Sequence, residues 1–169
     1  MLLNSLKYYN EVLGINHIIQ PANVEEKISP AAVSISVWKD SNGVISDIAH
    51  IQGDLFFISV IGPDSPSIFN EPHFELFEKM RKAMGLENLH IKVLEHICTN
   101  DSETFHDLLN MKLNTVVIFK EEPQAREIQS TKNFKFIETF SPQYLSQFPA
   151  AKKSCWEDLQ KVMKIFKTS

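Results

Sequence analysis

From residue 53 onward, apolar runs alternate with stretches of helical spacing. Leu55–Ile61 (Leu-Phe-Phe-Ile-Ser-Val-Ile) is almost continuously apolar, as expected of a strand covered on both faces. A loop rich in Gly and Pro follows at Gly62–Ser67. Over Glu71–Met84, Phe74, Phe77, Met80, Arg81 and Met84 recur at three and four, and Gly85 stops the pattern. That is a helix with a glycine stop. His90–Leu94 reads as a second strand and Ser102–Met111 as a helix with Asp101 or Ser102 at its N-cap. Thr115–Phe119 and Phe134–Glu138 read as third and fourth strands. Pro149–Phe166 closes the chain as an amphipathic helix with Pro149 in its first turn. Strands alternating with helices predict an α/β domain, a three-layer α/β/α sandwich around a central four-stranded parallel sheet in the order 2-1-3-4.

The pattern before residue 53 is different. Leu2, Leu3, Leu6, Tyr9, Val12 and Leu13 fall near helical spacing, and Gly14 follows as a C-cap. Pro21 and Pro30 bracket a polar linker, and Ala31–Trp38 alternates like a half-buried strand or extended arm. Ser41-Asn-Gly43 is a turn. Residues 1–40 are therefore expected to form a helix and arm packing on a domain of residues 41–169.

Composition narrows the chemistry. At 169 residues, the chain is long enough for one domain with a substantial core. It lacks the apolar window of about 18 residues that a membrane helix needs, and its first residues do not resemble a signal peptide. A cytoplasmic protein without a membrane partner is expected. Cys98 and Cys155 are then expected as buried thiols, and two cysteines cannot supply the four thiolates of an iron–sulfur cluster. No cofactor and no metal are expected: none of the six histidines has the i, i+4 spacing with an acid that a zinc helix uses. Of these, His73 lies nearest the Gly62–Ser67 loop. The net charge of −4 argues against a general nucleic-acid coat. Lys152, Lys153, Lys161, Lys164 and Lys167 make the last helix basic, which a solvated face explains first.

One ordered set of motifs resembles a known family. Thr139-Phe-Ser-Pro-Gln-Tyr-Leu is followed by Pro149-Ala-Ala-Lys-Lys-Ser-Cys-Trp-Glu-Asp-Leu159. Their order resembles the carboxy-terminal motif of uracil-DNA glycosylases, above all the family 4 type. There, a Thr-Tyr-His-Pro-Ser-Tyr-Leu loop precedes a basic helix containing Trp-Glu-Asp-Leu. Gly53-Asp-Leu-Phe-Phe-Ile58 resembles the family's strand entry, and Phe74–Leu86 resembles the helix that ends in Gly-Leu. Thr115-Val-Val-Ile118 resembles its third strand. The resemblance spans about residues 53–165 and implies a uracil-DNA glycosylase-like fold. It places Phe69 on the aromatic residue that stacks against an extruded base.

The departures fall on the chemistry. Breaking a glycosidic bond creates an oxocarbenium-like sugar and an anionic base, so the site wants a carboxylate for one and donors for the other. The family's Gly-Glu-Ala-Pro-Gly segment is here Ser59-Val-Ile-Gly-Pro63, without a carboxylate, and Ser141 stands where the family has its His. Single oxyanion donors are worth about 3–4 kcal/mol, so losing both groups removes much of the transition-state stabilisation. Gly62-Pro-Asp-Ser-Pro66 faintly resembles the water-activating loop of family 1 enzymes, which would give Asp64 that role. A surface turn is the competing reading.

With its departures, the resemblance implies a catalytically degenerate member, a non-enzymatic binding or assembly module in DNA replication or repair. Its partners would be replication or repair proteins, with DNA a weak contact. Tyr9-Asn-Glu-Val-Leu-Gly-Ile15 and Ser141-Pro…Trp156 also resemble segments of the psi subunits of bacterial DNA polymerase III, glycosylase-like proteins without an active site. The competing expectation is an active glycosylase with a rewired site: Asp64 for water, Phe69 for stacking, Ser141 as residual donor.

Overall fold

The computed structural model describes residues 34–168. The expected helix at Leu2–Leu13 and the Tyr9–Ile15 segment lie outside the described residues. Seven strands and four α-helices follow one another: β1 Ser36–Asp40, β2 Gly43–Ile45, β3 Leu55–Ile61, α1 His73–Met84, β4 Ile91–Cys98, α2 Ser102–Leu109, β5 Thr115–Lys120, β6 Gln129–Ser130, β7 Lys135–Phe140, α3 Pro142–Gln147 and α4 Lys152–Lys167. A single 3-10 turn, Pro149–Ala151, leads into α4.

All strands join one mixed sheet in the order β2-β1-β4-β3-β5-β7-β6. Its middle runs parallel, with β3 pairing β4 on one side and β5 on the other, and β5 pairing β7. β1 adds antiparallel to β4, β2 to β1 and β6 to β7. Where a central four-stranded parallel sheet was expected, the sheet is mixed and has seven strands among the described residues, the three additional ones pairing antiparallel at its edges. The reason is local. β6 is two exposed residues and β2 is three residues long, too short to carry a period-two pattern. β1 ends in Lys39 and Asp40, so the alternation fades within the strand. β4 also runs four residues past its expected end, because Glu95 and His96 break the apolar run without breaking the strand.

Period two in the parallel strands supplies a core to each face. Leu55, Phe57, Val117, Phe119 and Ile137 point to one side, where Phe77 and Met84 of α1, Leu145 of α3 and Cys155, Leu159 and Val162 of α4 meet them. Phe56, Ile58, Val116 and Ile118 point to the other, against Leu108 of α2 and Trp38 of β1. Phe57, Phe77 and Phe119 pack with centroids 5.1 to 6.0 Å apart in edge-on and stacked geometry. Gly85 ends α1 in the left-handed region at φ 64° and returns its N–H to the Lys82 carbonyl. Any other residue would be strained there.

Both described cysteines are free and buried. Burial pushes the Cys155 thiol up to about 11 and raises Cys98 as well, so both are held as unreactive thiols. Among the described residues no helix is long and apolar enough to cross a membrane.

Candidate functional site

Because β3 and β7 are parallel, the loop after β3 and the residue after β7 emerge at the same edge of the sheet. The loop begins with a turn closed by Ser65 N–H to the Gly62 carbonyl, 3.1 Å. Asp64 sits inside this turn and is exposed. The returning half of the loop is pinned from below by Glu95, a fully buried residue of β4 that lies beside Ser59 in register. Ser67 Oγ donates to Glu95 Oε1 (2.8 Å), and the Ile68 N–H donates to Oε2 (2.7 Å). Lys39 Nζ stands 3.9 Å from Oε1. Ser67 Oγ in turn accepts the Phe69 N–H at 3.1 Å. Charge-assisted bonds of this kind are the stronger ones, and they fix the loop's path.

Phe69 is half-buried and starts an aromatic row. Its ring lies 6.1 Å from Phe74, which lies 6.1 Å from the buried Phe77. His73 Nδ1 is 3.2 Å from the Ser67 carbonyl oxygen, so this histidine braces the same loop. Among the described residues no cluster of three His, Cys, Asp or Glu could hold a metal ion.

Ser141 does not face an open site. It is 4% exposed and is the N-cap of α3, a short helix between β7 and α4. Its Oγ accepts the Tyr144 N–H at 3.1 Å, and its own N–H donates to the Lys120 carbonyl at 3.0 Å. Ser before Pro is a standard helix start, so the signal was present but the following run was too short to show a period. Gln143, the second residue of α3, completes the closure. Its Nε2 donates to Ser59 Oγ (3.1 Å) and to the Pro66 carbonyl (3.2 Å). One buried amide thus ties the end of β3, the loop and α3 together. Its Oε1 has no protein hydrogen-bond partner among the described residues.

Two further carboxylates organise the connection from β5 to β7. Asp158, in the Trp-Glu-Asp-Leu motif, is fully buried and accepts from Arg126 Nε (3.0 Å) and Nη2 (3.1 Å) and from Thr139 Oγ1 (2.7 Å). Glu138 accepts from Lys120 Nζ (2.8 Å) and from the N–H groups of Gln124 and Ala125 (2.7 and 3.1 Å). Burial alone would raise the Glu138 carboxyl. The Lys120 ammonium and the two backbone donors outweigh it and hold the group below the usual carboxylate range. Lys161 is drawn into this network through Glu127 and the Arg126 carbonyl, whereas Lys152, Lys153, Lys164 and Lys167 are exposed.

A second polar cluster lies on the other face. The fully buried His96 stacks on Trp38 at 4.2 Å and 10°. Its Nδ1 is 2.6 Å from Thr104 Oγ1 and its Nε2 2.9 Å from Ser36 Oγ. Trp38 Nε1 donates to Asp107 Oδ2 at 2.8 Å. Burial lowers the His96 pKa, outweighing Asp107 and Glu103, which raise it. The unfolded chain therefore takes up this proton first as pH falls below about 6.5. Stability from His96 is complete above that value and is lost between it and the lower folded pKa. Urea midpoints measured from pH 8 to 5 are expected to fall in the wild type and to flatten over that window in His96→Gln.

Glu95, Gln143, Asp158 and Glu138 were not assigned roles from sequence. The signal for Glu95 was a charge inside a buried strand run, which demands a partner. No family model matches the chain, and no curated protein matches it.

Proposed function

We propose that this protein is a catalytically degenerate uracil-DNA glycosylase-like module that binds or assembles with replication or repair proteins and performs no base excision. One observation carries the non-enzymatic half: Gln143 spans the edge where an extruded base would enter, while the Ser141 hydroxyl is taken by the Tyr144 N–H. Asp64 adds to it, since its carboxylate sits on an exposed turn. The finer fold reading, a glycosylase-like three-layer sandwich on parallel strands in the order 2-1-3-4, belongs to the same proposal. It is supported by the β4-β3-β5-β7 block and by a core on each of its faces. The replication or repair setting rests on the sequence resemblance.

The test is incubation with uracil-containing single- and double-stranded oligonucleotides, followed by alkali. No strand breaks above background are expected. Breaks that disappear in Asp64→Ala would establish the competing reading, an active enzyme working through Asp64, Phe69 and Ser141.

A further inference from the structure

Beside this closed edge the chain builds an aromatic ladder that ends in solvent. The Arg126 guanidinium lies 5.4 Å over the Phe140 ring. Phe140 stacks on Tyr144 at 5.1 Å and 16°, and Tyr144 lies tilted against Phe148 at 4.6 Å and 31°. The spacing of four between rungs comes from the Ser141 cap, which starts α3 in the right phase to set Tyr144 over Phe140. The inner end is anchored by the buried Asp158 that grips Arg126. The outer end is Phe148, 51% exposed, and among the described residues it is the one Phe, Tyr or Trp ring that is exposed.

The chain just beyond this ring is basic. Lys152 and Lys153 are exposed at the start of α4. Unlike Lys120 and Lys161, neither makes an ion pair among the described residues. A π face followed four and five residues later in the chain by exposed ammonium groups matches a ligand with flat rings on an anionic backbone. An apolar peptide would use the rings and leave the lysines idle. A polyanion without rings would use the lysines alone.

We propose that the Arg126–Phe140–Tyr144–Phe148 ladder, with Lys152 and Lys153, is a stacking site for single-stranded nucleic acid. Phe148 takes the first base as a further rung, and the two lysines meet the flanking phosphates. With a net charge of −4 over the chain, stacking rather than charge carries the contact. This inference stands apart from the function proposed above: uracil release, or its absence, leaves it unchanged.

The experiment is fluorescence anisotropy of a labelled oligo(dT) strand of about twenty nucleotides with the full chain at about 50 mM salt. Saturable binding is expected. Phe148→Ala should weaken it about 5- to 150-fold, the range for losing one base–aromatic stack, while Phe148→Trp keeps it. An abasic strand of equal length should bind less tightly and should no longer distinguish Phe148→Ala from wild type. The pair Lys152→Gln and Lys153→Gln should reduce the log–log salt slope by about 1.4. Phe148 is exposed, so its variants are expected to keep the wild-type circular dichroism spectrum. Failure of the folded wild type to bind would overturn the proposal. So would equal affinity of Phe148→Ala, or equal binding of the abasic strand.

Discussion

Arg126→Met is expected to destabilise the protein by about 3 kcal/mol. The substitution keeps the aliphatic stem but leaves the Asp158 carboxylate, 1% exposed, without its two-pronged partner. Breaking a buried pair from one side typically costs about 3–5 kcal/mol, mostly because a charge is stranded. The low end applies here, since Lys161 Nζ stays 3.6 Å from Oδ1 and Thr139 still donates. For a domain of this size that corresponds to a fall in melting temperature of about 6–12 °C, read by calorimetry. The double variant Arg126→Met/Asp158→Leu should recover most of the loss, because the stranded charge is gone. If the double variant melts as low as the single one, Asp158 is not held as described.

Glu95→Ala is expected to cost about 3 kcal/mol and to release the 62–69 loop. It removes the acceptors of Ser67 Oγ and the Ile68 N–H, each bond to a charged group being worth about 1.5–3 kcal/mol. Part of that sum is returned, because a buried carboxylate whose ammonium neighbour is 3.9 Å away no longer has to be desolvated. The Ile68 amide, with its residue fully buried, should change from slow to fast hydrogen exchange. Amides of the β5 strand should change only by the global loss of stability. An Ile68 amide that stays protected would mean that another group holds the loop.

These two residues also mark the limit of what the sequence made legible. Of the four longest strands, β3 and β5 could be read as apolar runs, and β4 and β7 in part from their apolar positions. α1 could be read from its period and Gly85. β2, β6 and α3 are too short for any period to appear, and β1 takes its place in the sheet from pairing with β4, a long-range partner invisible in a local pattern. At the edge of the sheet, Asp64, Phe69 and Ser141 were visible as motif positions. The edge around them is held by Glu95, which reaches Ser67 across 28 residues of chain, and by Gln143, which reaches Ser59 across 84. Side chains that act over such separations leave no spacing to read.

The central claim is that the sheet edge between the Gly62–Phe69 loop and α3 is closed by hydrogen bonds and takes no base. Titration of the isotopically labelled protein with free uracil, followed by NMR, tests it most directly. The account predicts that the Gln143 side-chain amide and the backbone amides of Ile68 and Ser141 stay in place up to millimolar ligand. Saturable shifts confined to those three groups would show an open, base-binding site and contradict it.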